Sequence, residues 1–174
     1  MAAELRTDRL TLRPLALADA PRLSAITSDP AVARMVARLP CPNPLVAVEG
    51  FILIMQARAP LGTDHVFAVD LAGKGPIGCV GAHGAAPEGP FELGYYVGRE
   101  WWGQGYATEA ASAVARYMEA HGATHLEAGH FLDNPASGRV LEKAGFVATG
   151  EIVPLFSIGR GEKVPLRRMK RSVQ

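Results

Sequence analysis

The spacing of apolar positions changes several times along the chain, and each change marks a different kind of element. At Arg9–Arg13 they alternate, with Leu10 and Leu12 on one side, which predicts a short strand stopping at Pro14. From Ala18 to Ala37 the spacing turns helical in two pieces, divided near Ser28-Asp29-Pro30, where Pro30 suits the first position of a second helix. Pro40-Cys41-Pro42-Asn43-Pro44 reads as a stiff connector, and Leu45–Arg58 as a helix carrying Val48, Phe51, Ile52 and Met55 at helical spacing. Strands are predicted at His65–Leu71, Ile77–His83 and Phe91–Val97, joined by the hairpin-like Ala72–Gly75 and by Ala85–Pro90. Tyr106–His121 is the most regular helix, with Ala107, Ala110, Val114 and Met118 in one stripe. A strand at His125–Phe131, a helix at Pro135–Ala144 and closing strands at Phe146–Ile152 and Val164–Met169 complete the pattern. Strand pairs followed by strand–helix–strand–helix predict an α+β domain of α/β type with a mixed sheet.

Composition removes several function classes. The 174 residues suit one domain, 1–174, and no repeat or long polar linker divides them. Eighteen basic residues face seventeen acidic ones, so no global field draws in DNA, RNA or an anionic membrane. The only basic run, Arg167-Arg168-Met169-Lys170-Arg171, fits a solvated final strand, and no aromatic residues interleave it as a stacking platform for RNA would need. The start, MAAELRTDRL, lacks a signal peptide's apolar segment, and the longest apolar stretch, near Phe51–Met55, is too short to cross a bilayer. Cys41 and Cys79 make no disulfide framework, and no Cys/His cluster has zinc-ligand spacing. A cytoplasmic protein without a metal is expected.

Chemistry concentrates at Tyr95-Tyr96-Val97-Gly98-Arg99-Glu100-Trp101-Trp102-Gly103-Gln104-Gly105-Tyr106-Ala107-Thr108-Glu109-Ala110, read as strand, tight turn, helix. The first amides of a helix have no internal partner, and the helix dipole adds positive charge there. Gly103 and Gly105 carry no Cβ to hold a diphosphate away, Ala107 is small, and Thr108 offers a hydroxyl. Turn geometry alone also accounts for glycines at such a junction. The chain has no G-x-x-x-x-G-K-[ST], which excludes a Walker loop, and no G-x-G-x-x-G opens this helix as in a dinucleotide fold.

This segment resembles the acetyl-CoA motif of the GNAT N-acetyltransferase superfamily, and within it the branch of the ribosomal-protein N-terminal alanine acetyltransferases. The pattern [R/Q]-x-x-G-x-[G/A] falls on Trp102, Gly105 and Ala107, with Trp102 departing from Arg or Gln. The opening T-D-R-L-x-L-R-P at Thr7–Pro14 and N-x-x-S-x-x-x-x-E-K-x-G-F at Asn134–Phe146 extend the resemblance over most of the chain. It implies a mostly antiparallel sheet with a splayed central strand pair flanked by helices, and acetyl-CoA as co-substrate. It further implies cofactor contacts from the main chain of Tyr96, Val97 and Gly98, from Trp102, Gly103, Gln104, Gly105, Tyr106, Ala107 and Thr108, and from Asn134 and Ser137. Asn134 and Pro135 also serve as an ordinary helix cap and first position. Gly138 has no such explanation, costing about 1 kcal/mol within a helix relative to alanine, and signals close approach to the backbone.

Acyl transfer from a thioester to an amine needs a base for the ammonium proton, a donor for the oxyanion, and a route for the leaving thiolate. Glu92, between Phe91 and Leu93, projects to the opposite face of a strand leading into the turn, and is the first choice as base, against the alternative of a solvated carboxylate. His130 and Glu151 follow. A backbone N–H near Val97 suits the oxyanion. The family's leaving-group Tyr, seven residues after the Asn, is Leu141 here, which leaves Ser137 or solvent to meet the sulfur. The expected function is acetyl transfer to a primary amine, a protein N-terminus or small amine, by direct attack in a ternary complex. The rival is a catalytically inactive CoA-binding sensor of the same fold, and a third reading is a nucleotide-binding regulator preferring ATP or NAD. The expected partner is an amine acceptor, with a homodimer left open.

Overall fold

In the computed structural model, which describes residues 4–172, the predicted strands come together in a single sheet. Readings that reach residues 1–3 and 173–174, the apolar-poor start and the outer ends of the single domain, lie outside the described residues. The elements run β1 (Leu5–Arg6), β2 (Leu10–Pro14), α1 (Ala20–Thr27), α2 (Pro30–Ala33), α3 (Leu45–Arg58), β3 (Asp64–Leu71), β4 (Gly75–Gly84) and β5 (Phe91–Val97), followed by α4 (Tyr106–Ala120), β6 (His125–Phe131), α5 (Pro135–Lys143), β7 (Val147–Ser157) and β8 (Glu162–Ser172). The eight strands are ordered β1-β2-β3-β4-β5-β6-β8-β7, and every neighbouring pair is antiparallel except β5–β6. The expected α+β architecture is borne out.

Three local departures have physical causes. The second helical piece is one turn long because carbonyls that would extend it are taken from outside: Arg34 O accepts from Arg160 Nε at 2.7 Å, and Ala37 O from the Ile158 amide at 2.8 Å. β7 and β8 each run eleven residues, longer than predicted, and Pro154, just past the predicted end of the first, sits opposite Pro165 within the ladder. Leu5–Arg6 adds an edge strand paired to β2 that is too short to announce itself.

Two layers of helix cover the sheet. On one face α4 buries Ala110, Ala111, Val114, Ala115 and Met118 against Phe91, Leu93 and Val97 of β5; Ala107 of the predicted stripe is only partly covered. On the other face α1 and α3 close over Ala68 and Cys79, using Leu23, Val48 and Ile52, while Phe51 and Met55 are half-buried. Between the halves of the sheet the ladder nearly fails. β5 and β6 register only at Phe91–Leu126 and Glu92–Glu127, and then part company. This is the splayed pair the family resemblance implies, and it opens toward the turn before α4.

Candidate active site

The turn is shaped by two left-handed glycines. Gly103 has φ +73° and Gly105 φ +85°, a region costly for residues with a Cβ. A Cβ at Gly103 would meet nothing within 4 Å, and one at Gly105 would come 3.3 Å from Arg9 Nη2, so the backbone angle sets the demand for glycine at both. Gly105 is the N-cap of α4 and has no side chain to satisfy the first turn. The first helical bond runs from the Glu109 amide to Gly105 O at 3.0 Å. The amides of Tyr106, Ala107 and Thr108 therefore point forward without a partner among the described residues.

The opening T-D-R-L segment holds this turn in place, a role not foreseen from its sequence. Glu109, in the first turn of α4, accepts from Thr7 Oγ1 at 2.6 Å, the Arg9 amide at 2.9 Å and Arg9 Nε at 2.8 Å. Arg9 Nη1 donates to Gln104 O at 2.9 Å, and the guanidinium lies 4.4 Å from the Tyr106 ring centroid. Burial pushes the Glu109 carboxyl up, but these donors outweigh it and hold it below the ordinary carboxylate range.

Main-chain direction in β5 decides what the splay presents. The Gly98 amide donates to Ile77 O at 2.8 Å while its carbonyl accepts from the Trp101 amide at 2.9 Å, and by the same parity Tyr96 and Gly94 turn their main-chain groups to β4. Leu93, Tyr95 and Val97 turn theirs the other way, into the gap beside β6, and Trp102 Nε1 takes the Val97 carbonyl at 2.7 Å. Within the expected Tyr96–Gly98 stretch it is therefore the Val97 amide that faces the gap, with the main chain of Tyr95 beside it, while Tyr96 and the Gly98 amide turn to β4.

A cavity of about 530 Å³ runs from the turn into the splay. Of the residues singled out in the sequence, Tyr96, Val97, Trp102, Gly103, Gly105, Tyr106, Ala107, Thr108, Asn134 and Ser137 line it; Gly98, Gln104 and Glu92 do not. Arg139 and Lys143, one turn apart on α5, and Trp101 also border it, and the buried Trp101 Nε1 has no hydrogen-bond partner among the described residues. Asn134 acts as the N-cap of α5, its Oδ1 accepting from the Ser137 amide at 3.2 Å. Gly138 is explained by protein: a Cβ there would lie 2.9 Å from His130 Nε2.

The candidate bases separate cleanly. His130 packs under α5 with Nδ1 2.9 Å from Phe131 O, and Glu151 sits on exposed β7 near Arg168 at 3.8 Å. Glu92 stands at the apex of the splay, 54 % exposed, on the sheet face away from α4, with Arg38 Nη2 3.0 Å from one oxygen. Its register partner on β4 is His83, whose Nδ1 lies 2.7 Å from Oδ1 of Asp64, a carboxylate only 2 % exposed. Burial raises the Asp64 carboxyl, but contacts from His83, Thr63 and Arg58 carry it below its usual value. Leu141 is buried in the core. The hydroxyl that reaches Ser137 comes instead from Tyr95, unremarked in the sequence although strand alternation places it on the α4 face: Tyr95 Oη lies 2.7 Å from Ser137 Oγ and 3.2 Å from Ser137 O. Burial pushes the Tyr95 phenol up to about 12.

Comparison with known proteins agrees with this geometry. Residues 9–147 match the acetyltransferase (GNAT) domain family. The chain belongs to that family. It is 32 % identical over 157 residues to the uncharacterized N-acetyltransferase YoaA of Bacillus subtilis, covering 84 % of each protein. Among solved structures, a GNAT acetyltransferase from Bacillus anthracis superposes with a TM-score of 0.82 at 22 % identity over 98 % of both chains. The ribosomal L7/L12 alpha-N-protein acetyltransferase RimL, solved with coenzyme A, also reaches 0.82 at 14 % identity over 98 % of both. The chain is thus an N-acetyltransferase by family, and the expected GNAT resemblance is borne out. No helix among the described residues is long and apolar enough to cross a membrane.

Proposed function

We propose that this protein acetylates a primary amine, at a protein N-terminus or on a small molecule, by direct attack on acetyl-CoA held in the splay. The reading is carried by the amides of Tyr106–Thr108, unpartnered among the described residues, which adjoin the Val97 amide and the main chain of Tyr95 in one cavity. Those amides and the dipole of α4 suit a pyrophosphate, and Arg139 and Lys143 add positive charge at the same rim. The orphaned Trp101 Nε1 and the Val97 amide are donors a pantetheine or thioester oxygen would satisfy.

Direct attack is supported by the cysteines. Cys79 is buried against α1 and α3 with its thiol pushed up to about 12 by desolvation, and Cys41 donates to Ser28 O at 3.7 Å; neither lines the cavity. Neither is placed to take the acetyl group as a thiolate. Glu92 stands at the apex on the acceptor side, where it receives the amine proton directly or through water, with His83 beside it. Entry of the ammonium displaces Arg38, a pair exposed enough to be weak.

That same Arg38 contact favours the second reading, a CoA-binding protein whose base is occupied and whose catalysis is lost. Thiol release from acetyl-CoA with a panel of primary amines decides between them. The enzyme reading expects turnover that falls about a hundredfold or more in Glu92→Gln, within the usual range for a general base, with CoA affinity by calorimetry unchanged. CoA binding without turnover on any amine sinks it.

A further inference from the structure

The leaving-group side of the site holds a feature that neither the family match nor the candidate base explains. Leu141 occupies the position from which a tyrosine hydroxyl was expected, yet a tyrosine hydroxyl is present from the opposite wall. It comes from Tyr95 of β5, crosses the gap, and meets Ser137 in the first turn of α5. Both residues line the cavity that contains the pyrophosphate turn. We propose that Tyr95 is a positioning residue for the thiol end of coenzyme A: it donates its hydroxyl hydrogen to Ser137 Oγ, so that the Ser137 hydroxyl hydrogen is directed at the cofactor sulfur. The inference rests on the cofactor assignment above and on no particular acceptor.

Donor and acceptor roles follow from what each group can do. A buried phenol whose ionisation is pushed up to about 12 keeps its proton at neutral pH, and so arrives as an O–H donor. The Ser137 amide donates to Asn134, and the single phenol hydrogen has two acceptors in reach, Ser137 O at 3.2 Å and the nearer Ser137 Oγ at 2.7 Å. Ser137 Oγ has one hydrogen to give. With Tyr95 as donor at 2.7 Å, that hydrogen is free to turn into the cavity. Two hydroxyls in series polarise each other, so the outer one becomes the better donor to a nearby anion.

In the reaction, the amine nitrogen forms the new C–N bond and the C–S bond breaks, its electron pair leaving on sulfur. Ser137 donates a hydrogen bond to that thiolate, and Tyr95 holds Ser137 in the donating orientation while retaining its own proton. The substrate ammonium gives one proton to Glu92 or water before attack, the second leaves to water as the amide forms, and the thiolate takes a proton from solvent on release. No oxidant or further reactant is needed.

The decisive test reads the sulfur itself. Coenzyme A is bound to the full chain and titrated while thiolate absorbance in the ultraviolet is followed, for wild type, Tyr95→Phe and Ser137→Ala. A hydrogen bond to a charged group favours the charged form, so the thiol of bound CoA is expected to be more acidic in wild type than in either variant, by about tenfold in its dissociation constant. Tyr95→Phe combined with Ser137→Ala is expected to do no more than Ser137→Ala alone, because the phenol acts through the serine. CoA affinity, measured by calorimetry, is expected to stay within about twofold, since the pyrophosphate turn is untouched. A merely structural tie between β5 and α5 predicts the reverse: lower melting temperature and weaker CoA binding with an unchanged thiol. Equal thiol acidity in wild type and Tyr95→Phe overturns the proposal, as does failure of wild type to bind CoA. A lowered thiol pKa with no amine acetylated would leave it standing and sink the enzymatic reading instead.

Discussion

Arg9 offers the sharpest check on how the turn before α4 is held. Replacing it with methionine keeps most of the stem and removes the guanidinium, which spans Glu109, Gln104 O and the Tyr106 ring. Glu109 is not orphaned by the change, because Thr7 Oγ1 and the residue 9 amide remain its donors. A hydrogen bond to a charged group contributes roughly 1.5–3 kcal/mol when well shielded. The Arg9 side chain is 45 % exposed and that of Glu109 16 %, so solvent screening reduces this, and the whole contact is expected to be worth about 1–2 kcal/mol. For a chain of this size that is about 3–6 °C in melting temperature. Freeing the Gln104 carbonyl also leaves the turn to be ordered by the ligand, weakening CoA by about threefold to tenfold. Differential scanning fluorimetry and calorimetry measure the two effects, and a cycle with Glu109→Gln measures their coupling. If Arg9→Met melts with wild type and binds CoA with wild-type affinity, the clamp is decoration and the turn is rigid for another reason.

Other expectations follow from single contacts. Gly105→Ala forces a Cβ into a left-handed cap, a cost of about 1–2 kcal/mol seen in urea titration, and weakens CoA further by moving the first amides. Gly138→Ala drives a methyl to 2.9 Å from His130 Nε2 and is expected to cost about 1–3 kcal/mol by overpacking; His130→Ala in the same chain should restore most of it, and no rescue would refute the packing explanation. Asp133 is held below the usual carboxylate range, first by hydrogen bonds from Arg160. Its folded pKa is depressed, so its stabilisation is full above the ordinary value and lost as pH falls through the folded one. Asp133→Asn is therefore expected to flatten acid unfolding below about pH 4, and an unchanged acid limb would count against the ion pair.

Much of the architecture was legible because its determinants are local. The boundaries of α3, β5 and β6 follow directly from apolar spacing, and the turn before α4 from two glycines that its angles require. What escaped notice depends on residues far apart in the chain. Arg9 meets Glu109 across a hundred positions, and Tyr95 meets Ser137 across more than forty. No periodicity encodes such a meeting. Gly138 shows the same limit from the other side: its spacing announced a close approach, but not that the visitor would be His130. The main-chain parity of β5 was hidden for a subtler reason. One bond, from the Gly98 amide to Ile77 O, settles which residues face the gap, and that bond depends on β4.

The interrupted seam between β5 and β6 has a mechanical corollary. With Phe91–Leu126 and Glu92–Glu127 as the whole ladder between them, β1–β5 and β6–β8 are two panels on a narrow hinge, fastened elsewhere by α4, α5 and by Arg34, which pairs with Asp133 and accepts at its carbonyl from Arg160. A bound pantetheine laid along Tyr95 and Val97 would act as a borrowed strand at the open end. Amide exchange in β6 and β8 should accordingly slow when CoA is added, well beyond the residues that touch it.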